Sequence, residues 1–355
     1  TGRAKADSSL AACQVVDLRE ELRSGNRSIL SHRLQQLMEE RLARREQTML
    51  FLNRRGMAGF VSCRACGEVL KCPHCDVSLS LHNDGRLKCH YCGYETGQVS
   101  VCPSCGSKYI GAFRAGTQKI EEIVKERFPH ARVLRMDYDT TRTKGSYEKI
   151  LSAFANEEAD ILIGTQMVSK GLDFDRVHVV GILDADAMFN RPDFRSHERA
   201  FQMMSQVGGR AGRRAKRGLV ILQTKRADYS LIKQVVDDNY LGMYQEQLAE
   251  RKAFYYPPFY RLIYIWFKHR DETKVNNAAN YAARLLLQAF GGGVLGPDKP
   301  VIGKIQMLHL RKAALKVSPS IPPAEVRAKL KDVVQQVQAQ ATFHSVMIYF
   351  DVDPL

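Results

Sequence analysis

Five apolar runs punctuate the first two-thirds of the chain: TMLFLN (48–53), ARVLRMD (131–137), DILIGTQ (160–166), VHVVGILDAD (177–186) and GLVILQT (218–224). Amphipathic stretches lie between them. Ile120, Ile123, Val124 and Phe128 share one face of a helix over 117–128, and Tyr147, Ile150, Leu151 and Phe154 share one face of the next. Strand–helix alternation of this kind predicts an α/β unit, a parallel sheet with helices on both faces. Functional residues are then expected at the carboxyl ends of the strands. Around Tyr255-Tyr256-Pro257-Pro258-Phe259 the pattern changes, since consecutive prolines break any element. Beyond them come a strand (262–269), a helix (272–290), a turn at Gly291–Gly293, strand material at 304–318, a helix (323–341) and a last strand (345–353). This reads as a small α+β domain. Trp266, the only Trp, lies in an apolar strand and reads as core rather than as a base-stacking platform.

Between the first strand and the first helix the pattern is interrupted by cysteines. Eight of the nine fall in four Cys-x-x-Cys pairs: Cys63/Cys66, Cys72/Cys75, Cys89/Cys92 and Cys102/Cys105. That is the ligand count for two tetrahedral all-cysteine zinc sites with every position closed, so the role is structural rather than catalytic. Gly or Asp follows each second Cys (Gly67, Asp76, Gly93, Gly106), and Gly permits the tight turn in which backbone N–H groups face sulfur. The inner spacing, Cys-x2-Cys-x13-Cys-x2-Cys, resembles a zinc ribbon. A nested arrangement is expected, with Cys72, Cys75, Cys89 and Cys92 on one ion and Cys63, Cys66, Cys102 and Cys105 on the other, although spacing leaves sequential pairing open. His74, His82 and His90 are spare donors. The stretch VSLSLHNDGRLK between the inner pairs reads as a hairpin turning at Asp84-Gly85.

The whole is divided as follows: a partly irregular lead-in at 1–27, the α/β lobe at 28–62 and 113–240, the zinc insert at 63–112 and the C-terminal α+β domain at 241–355. The lack of an initiating Met and of a patterned element before about residue 28 gives the expectation of a piece cut from a longer chain. Lys and Arg (53) exceed Asp and Glu (38), a net charge of +15 that favours a polyanionic partner. No apolar run is long enough to span a membrane and no signal core opens the chain. Clustered thiols in such a chain imply a reducing cytoplasm.

Two segments carry motor chemistry. Strand 160–166 runs into Gly164-Thr165-Gln166-Met167-Val168-Ser169-Lys170-Gly171-Leu172-Asp173-Phe174. A helix ends in Gln206-Val207-Gly208-Gly209-Arg210-Ala211-Gly212-Arg213. Both resemble motifs V and VI of superfamily 2 helicases. Arg210 and Arg213, three apart, share a helix face, and guanidinium stabilises charge on a transferring γ-phosphoryl group. A plain basic patch is the competing interpretation, since seven basic and no acidic residues lie between 208 and 226. Asp184-Ala185-Asp186 imitates a Mg²⁺-binding pair but lies after motif V without an adjacent Glu, and reads as structural, with a role in coupling lobes left open. No Gly-x4-Gly-Lys-Ser/Thr and no Asp-Glu box appears. The chain is therefore expected not to hydrolyse ATP by itself.

A RecA-like second lobe with an eight-cysteine insert after its first strand resembles the PriA family of bacterial replication-restart helicases. The match runs through Asn53-Arg54-Arg55-Gly56, the cysteine array, Gly116-Thr117-Gln118-Lys119-Ile120-Glu121, Asp137-Tyr138-Asp139-Thr140-Thr141, motifs V and VI, and Asp351-Val352-Asp353-Pro354. Gly208 stands where many members carry Ala. The resemblance implies an ATP-dependent 3′-to-5′ DNA helicase acting on stalled forks and D-loops, using ATP and Mg²⁺ with a first lobe. Arg210, Arg213 and Gln206 would be catalytic and Gly171 and Asp173 would approach the nucleotide. Thr165, Gln166 and Lys170 would contact the DNA backbone. Implied partners are single-stranded DNA, single-stranded DNA-binding protein, and primosome and helicase-loading proteins, engaged by a cytoplasmic monomer. The alternative is a zinc-ribbon DNA-binding scaffold with a vestigial motor lobe; a motor acting on RNA is a weaker third reading.

Overall fold

A computed structural model describes residues 12–53, 60–74, 77–82, 84–90, 93–112, 116–165, 174, 176–191, 193–208, 218–300 and 302–354. In chain order the elements open with β1 (Ala12–Asp17), α1 (Leu18–Arg23), α2 (His32–Ala43) and β2 (Gln47–Phe51). The cysteine insert contributes β3 (Val61–Cys63), β4 (Ser80–Leu81), β5 (Arg86–Lys88), β6 (Glu95–Gly97) and β7 (Ile110–Ala112). Next come α3 (Thr117–Arg127), β8 (Val133–Met136), α4 (Ser146–Ala155), β9 (Ile161–Gly164), β10 (Val177–Ile182) and α5 (Asp186–Phe189). The lobe continues with α6 (Ser196–Gly208), β11 (Leu219–Thr224), α7 (Ser230–Val236) and α8 (Tyr240–Ala253). The last domain holds β12 (Arg261–His269), α9 (Glu272–Phe290), β13 (Val294–Asp298), β14 (Lys304–Ile305), β15 (Leu308–Val317), α10 (Pro323–Ala339) and β16 (Met347–Val352).

The lobe is one parallel sheet, ordered β1-β11-β10-β2-β9-β8. Successive side chains of a strand point to opposite faces, so each strand feeds two cores. Met49, Phe51, Leu162, Val180, Ile182 and Leu222 pack with Phe154, Phe201 and Met204 on one side. Leu50, Leu52, Ile161, Ile163, Val179 and Ile221 meet Leu34, Leu37 and Met38 of α2 and Ile120 and Val124 of α3 on the other. Tyr147, Ile150 and Leu151 turn inward with Phe154, as their helical spacing predicts.

Three assignments change. The lead-in at 1–27, expected to be partly irregular with no patterned element before about residue 28, contains β1, an edge strand in register with β11 from Ala12↔Leu219 to Asp17↔Thr224, followed by α1. Helix α8, placed with the C-terminal domain by the boundary at 241, belongs to the lobe by packing. Its Met243 joins the lobe core and its Arg251 pairs with Glu198 of α6 at 2.7 Å. The third is a strand missing from the sequence reading, β13, where Gly296-Pro297 disguises an extended run.

The C-terminal domain has βαβββαβ order and an antiparallel sheet β13-β15-β12-β16, with β14 pairing β15 in a hairpin. Ile263, Ile265 and Phe267 of β12 and Ala313, Leu315 and Val317 of β15 pack under α9 and α10. Small residues on α9 (Ala278, Ala279, Ala282) let the helix approach the sheet closely.

Buried Gln223 staples the lobe. Its Nε2 donates to Ile29 O (2.7 Å) and Leu183 O (3.1 Å), and its Oε1 accepts from Ser31 N–H (2.8 Å). Gln223→Ala leaves three buried backbone groups unpaired and is expected to cost roughly 3 kcal/mol, read as a lowered urea midpoint.

Candidate metal centre and motor edge

One backbone hydrogen bond recurs at all four Cys-x-x-Cys segments. The N–H of each first Cys donates to the carbonyl five residues on: Cys63 to Glu68 (2.7 Å), Cys72 to Val77 (2.8 Å), Cys89 to Tyr94 (2.8 Å) and Cys102 to Ser107 (2.9 Å). In three of them the following Gly returns a bond to the first Cys: Gly67 to Cys63, Gly93 to Cys89 and Gly106 to Cys102. These glycines have φ of +83°, +76° and +70°, where any Cβ is strained. Strands β3 and β7 pair antiparallel and close the base of the insert. β4, β5 and β6 form its tip, with the hairpin turning at Asp84-Gly85 as read.

The thiols of Cys63, Cys66, Cys102 and Cys105 converge, all sulfurs within 4.8 Å of one another. Cys63 Sγ lies 3.7 Å from Cys105 Sγ, and Cys66 Sγ 3.6 Å from Cys102 Sγ. A tetrahedron with Zn–S bonds of about 2.3 Å has edges of about 3.8 Å, so the donor set and its spacing suit zinc. Burial raises the Cys102 thiol, but backbone N–H groups of Cys105 and Ser104 outweigh it and bring the group down to about 7, close to a ready thiolate. Burial pushes Cys66 up to about 12. Of the inner four, Cys72 and Cys89 are buried in one small core with Leu79, Leu81 and Leu87; Cys75 and Cys92 lie outside the described residues.

The insert rises from the carboxyl end of β2 and is locked to the ends of neighbouring strands. Arg64 donates to the carbonyls of Asn26 (3.2 Å), Arg27 (2.7 Å) and Ser28 (2.8 Å). A Cβ on Gly67 would stand 2.4 Å from the carbonyl oxygen of Lys225, so the first knuckle and the end of β11 are in direct contact. Lys225, fully enclosed, reaches Ser62 Oγ (3.3 Å) in the insert and Asp184 Oδ1 (3.4 Å) after β10, and its N–H donates to Asp186 Oδ2 (2.8 Å). On its far side the insert meets the C-terminal domain, where His90 Nδ1 lies 3.6 Å from Asp298 Oδ2. His82 and His90 face each other, Nε2 to Nε2, at 3.2 Å. Tyr256, next to the proline pair, stacks on Phe194 of the lobe (4.7 Å, 9°) inside the insert's core. Arg195 bonds the carbonyl of Pro354.

Asp184 and Asp186 thus carry the structural role expected of them. Lys225 and Arg64 were missed by sequence reading; the one available signal was the Lys225-Arg226 pair directly after the apolar run LVILQT. Burial pushes the Asp184 carboxyl up to about 6, against the pull of Lys225 and with the charge of Asp186 adding to the rise. The folded chain keeps a proton there that the unfolded chain has lost, so this group takes stability away as pH climbs from about 4 to 6.

On the motor edge, β9 delivers Thr165, half-buried, its N–H on Met136 O at 3.3 Å. Gln166, Lys170, Gly171 and Asp173 lie outside the described residues. Phe174 is buried edge-on against Phe154 at 4.9 Å, which anchors the far end of that loop in the lobe core. Helix α6 presents Gln206 on its exposed side, next to buried Val207. Arg210 and Arg213 also lie outside the described residues. At the end of β8, Asp137 accepts from Thr117 Oγ1 and from Thr140 N–H (3.0 Å) and forms an ion pair with Arg135 (3.1 Å), fixing the loop that follows.

Fold, knuckles and edge define the C-terminal lobe of a helicase carrying a zinc ribbon. Three family models match in order: the PriA DNA helicase Cys-rich region domain at 72–96, the helicase conserved C-terminal domain at 109–215 and the primosomal protein N C-terminal domain at 252–355. The chain belongs to the PriA family. It is 43% identical over 343 residues to the replication restart protein PriA of Bacillus subtilis, covering 96% of this chain and 42% of that protein. To the Synechocystis protein of the same name it is 40% identical, covering 98% and 42%. For that of Treponema pallidum the values are 36%, 96% and 51%. The chain therefore spans about half or less of the length of these relatives. Among solved structures, the RNA-helicase Prp28 from Chaetomium thermophilum overlaps at a TM-score of 0.31 and 13% identity, covering 70% of this chain and 38% of that one.

Two outcomes are expected. With one ion per nested tetrad, Cys102→Ser releases about one zinc and adding Cys63→Ser releases no more, whereas combining Cys102→Ser with Cys72→Ser releases both; metal analysis of the purified variants reads this. Lys225→Met leaves two buried carboxyls without their cation and costs about 3–5 kcal/mol at pH 8. The loss shrinks at pH 5, where Asp184 is protonated, in unfolding curves taken at both pH values.

Proposed function

We propose that this chain is the second motor lobe, zinc module and C-terminal domain of an ATP-dependent 3′-to-5′ DNA helicase. The complete protein recognises stalled or abandoned forks and D-loops and directs primosome assembly for replication restart. The observation that carries this reading is positional. The motif V loop leaves the carboxyl end of β9, the motif VI helix α6 precedes β11, and the cysteine insert stands on that same edge.

In this reading Arg210 and Arg213 face the γ-phosphoryl group of an ATP·Mg²⁺ held on a first lobe and offset the charge that builds as it transfers. Gln206, four residues ahead of Arg210 in the chain, orients the attacking water. Gly171 and Asp173 approach the ribose, while Thr165, Gln166 and Lys170 hold the DNA backbone. The phosphate cradle and the Mg²⁺ ligand belong to the first lobe, so this chain by itself turns over no ATP. Two structural zinc ions close the nested tetrads. Single-stranded DNA-binding protein and the helicase-loading proteins dock on a monomer in the cytoplasm. Among the described residues no helix is long and apolar enough to cross a membrane.

Placed in the full-length protein, Arg210→Ala and Arg213→Ala are each expected to cut ATP turnover about 1000-fold, with the Kd for forked DNA changed less than about twofold. Turnover at the parent rate would sink the assignment and favour the scaffold alternative.

A further inference from the structure

The C-terminal sheet has one face under helices and one without. Along β12, Ile263, Ile265 and Phe267 point to α9 and α10, so Tyr264 and Trp266 point the other way. Trp266 is therefore not a core residue of its domain, contrary to the reading from its apolar strand. Register carries the bare face to Lys312 of β15, opposite Trp266, and on to Asp298 of β13, opposite Lys312. The Lys312 ammonium stands 4.2 Å from the Tyr264 ring and 5.8 Å from that of Trp266. This half of the face is seated on the cysteine insert. A Cβ on Gly93 would stand 3.8 Å from Asp298 Cβ and Oδ1, and His90 Nδ1 lies 3.6 Å from Asp298 Oδ2. Burial holds the Lys312 ammonium below its usual range, while the negative charges of Asp298, Cys89 and Asp193 pull the other way. Lys316, on the same side of β15, lays its ammonium 3.8 Å from the ring of Tyr256, and Tyr256 shares one buried core with Cys72 and Cys89. At the outer tetrad, Gly67 rests instead on the Lys225 carbonyl of the lobe. The two sets of cysteines thus face different neighbours, the outer set the lobe and the inner set the C-terminal domain.

We propose that the inner tetrad is a metal-dependent latch that holds the C-terminal domain against the insert, with Lys312 as its counter-charge. The inference rests on the reading of two nested zinc sites. Four thiolates around a divalent ion carry a net charge of about −2, and Lys312 is the cation that the sheet brings to it. Without the ion the thiols hold their protons, and the segment loses both its charge and its fixed shape. Asp298 is matched to His90 and Gly93 only while that shape persists, and Tyr256 keeps its place only while the core around Cys72 and Cys89 is closed. The anchors of the insert on the lobe, Arg64 and Gly67, do not involve the inner cysteines. Release is therefore one-sided: the insert stays on the lobe, and the C-terminal domain swings away on the segment that joins it to α8. Occupancy of one zinc site then sets where that domain stands relative to the motor edge.

Because Trp266 is the only Trp, quenching of its emission by acrylamide reports on this face, and small-angle scattering reports how far the chain extends. Cys72→Ser is expected to lose one zinc, raise the quenching of Trp266 and enlarge the radius of gyration. Cys102→Ser is expected to lose the other zinc with Trp266 unchanged. Lys312→Met should keep both zinc ions and speed amide exchange at Cys89 and Gly93 about tenfold, and Lys312→Arg should restore the slow rate, which separates an opened latch from a misfolded insert. Loss of one zinc by Cys72→Ser with quenching and radius at the parent values would overturn the latch and leave the nested zinc sites standing. Retention of both ions by Cys72→Ser would overturn the nested reading and the latch with it.

Discussion

Everything in the lobe follows from the position of β2 inside an all-parallel sheet. Each residue from Gln47 to Phe51 is buried, with β10 on one side and β9 on the other. A parallel strand cannot hairpin back to its neighbour; the chain must leave at the carboxyl end and return to the amino end by a crossover. With helices filling both faces, the carboxyl edge is where irregular backbone and polar side chains can gather. Asn53, Asp137, Thr165, Asp184 and Lys225 all lie there, each just after a strand. An insertion between β2 and α3 has to grow from the same edge, so the cysteine module stands beside the motor loops as a consequence of topology.

Polar groups tie the module to the lobe. Arg64 caps three carbonyls, and Lys225 is shared between Ser62 and Asp184. Buried polar contacts of this kind add little net stability, because desolvation offsets much of the attraction. They do demand one geometry, since any other orientation strands a charge. The insert's own core is small, built around Val61, Leu79, Leu81, Leu87 and Tyr256, and a domain of this size usually needs metal ions to hold. The close fit of Gly67 on Lys225 then ties the shape of the outer tetrad to the end of β11. On the opposite side the contact of His90 with Asp298 extends the connection to the C-terminal domain. The insert is wedged between the two domains, and Tyr256 reaches into its core from the segment joining them.

What the amino-acid sequence determined alone was whatever is set within one element or one turn. The apolar runs became β2, β8, β9, β10 and β11; the 3.6-residue spacing became α3 and α4. The turns Cys63–Gly67 and Cys102–Gly106 and the Asp84-Gly85 hairpin formed as read, because their hydrogen bonds span only a few residues. Tertiary structure decided the features that depend on distant partners. ACQVVD became a strand because β11, about 200 residues later, offers a free parallel edge. Helix α8 joined the lobe because Met243 finds its core there. Its apolar strand made Trp266 read as core, but which face the helices cover is settled by packing α9 and α10 on the opposite side. In the same way no local signal links Lys225 to Asp184, 41 residues apart, or Arg64 to the carbonyls of 26–28. Hydrophobic spacing says which side chains point together; only the assembled sheets say what they point at.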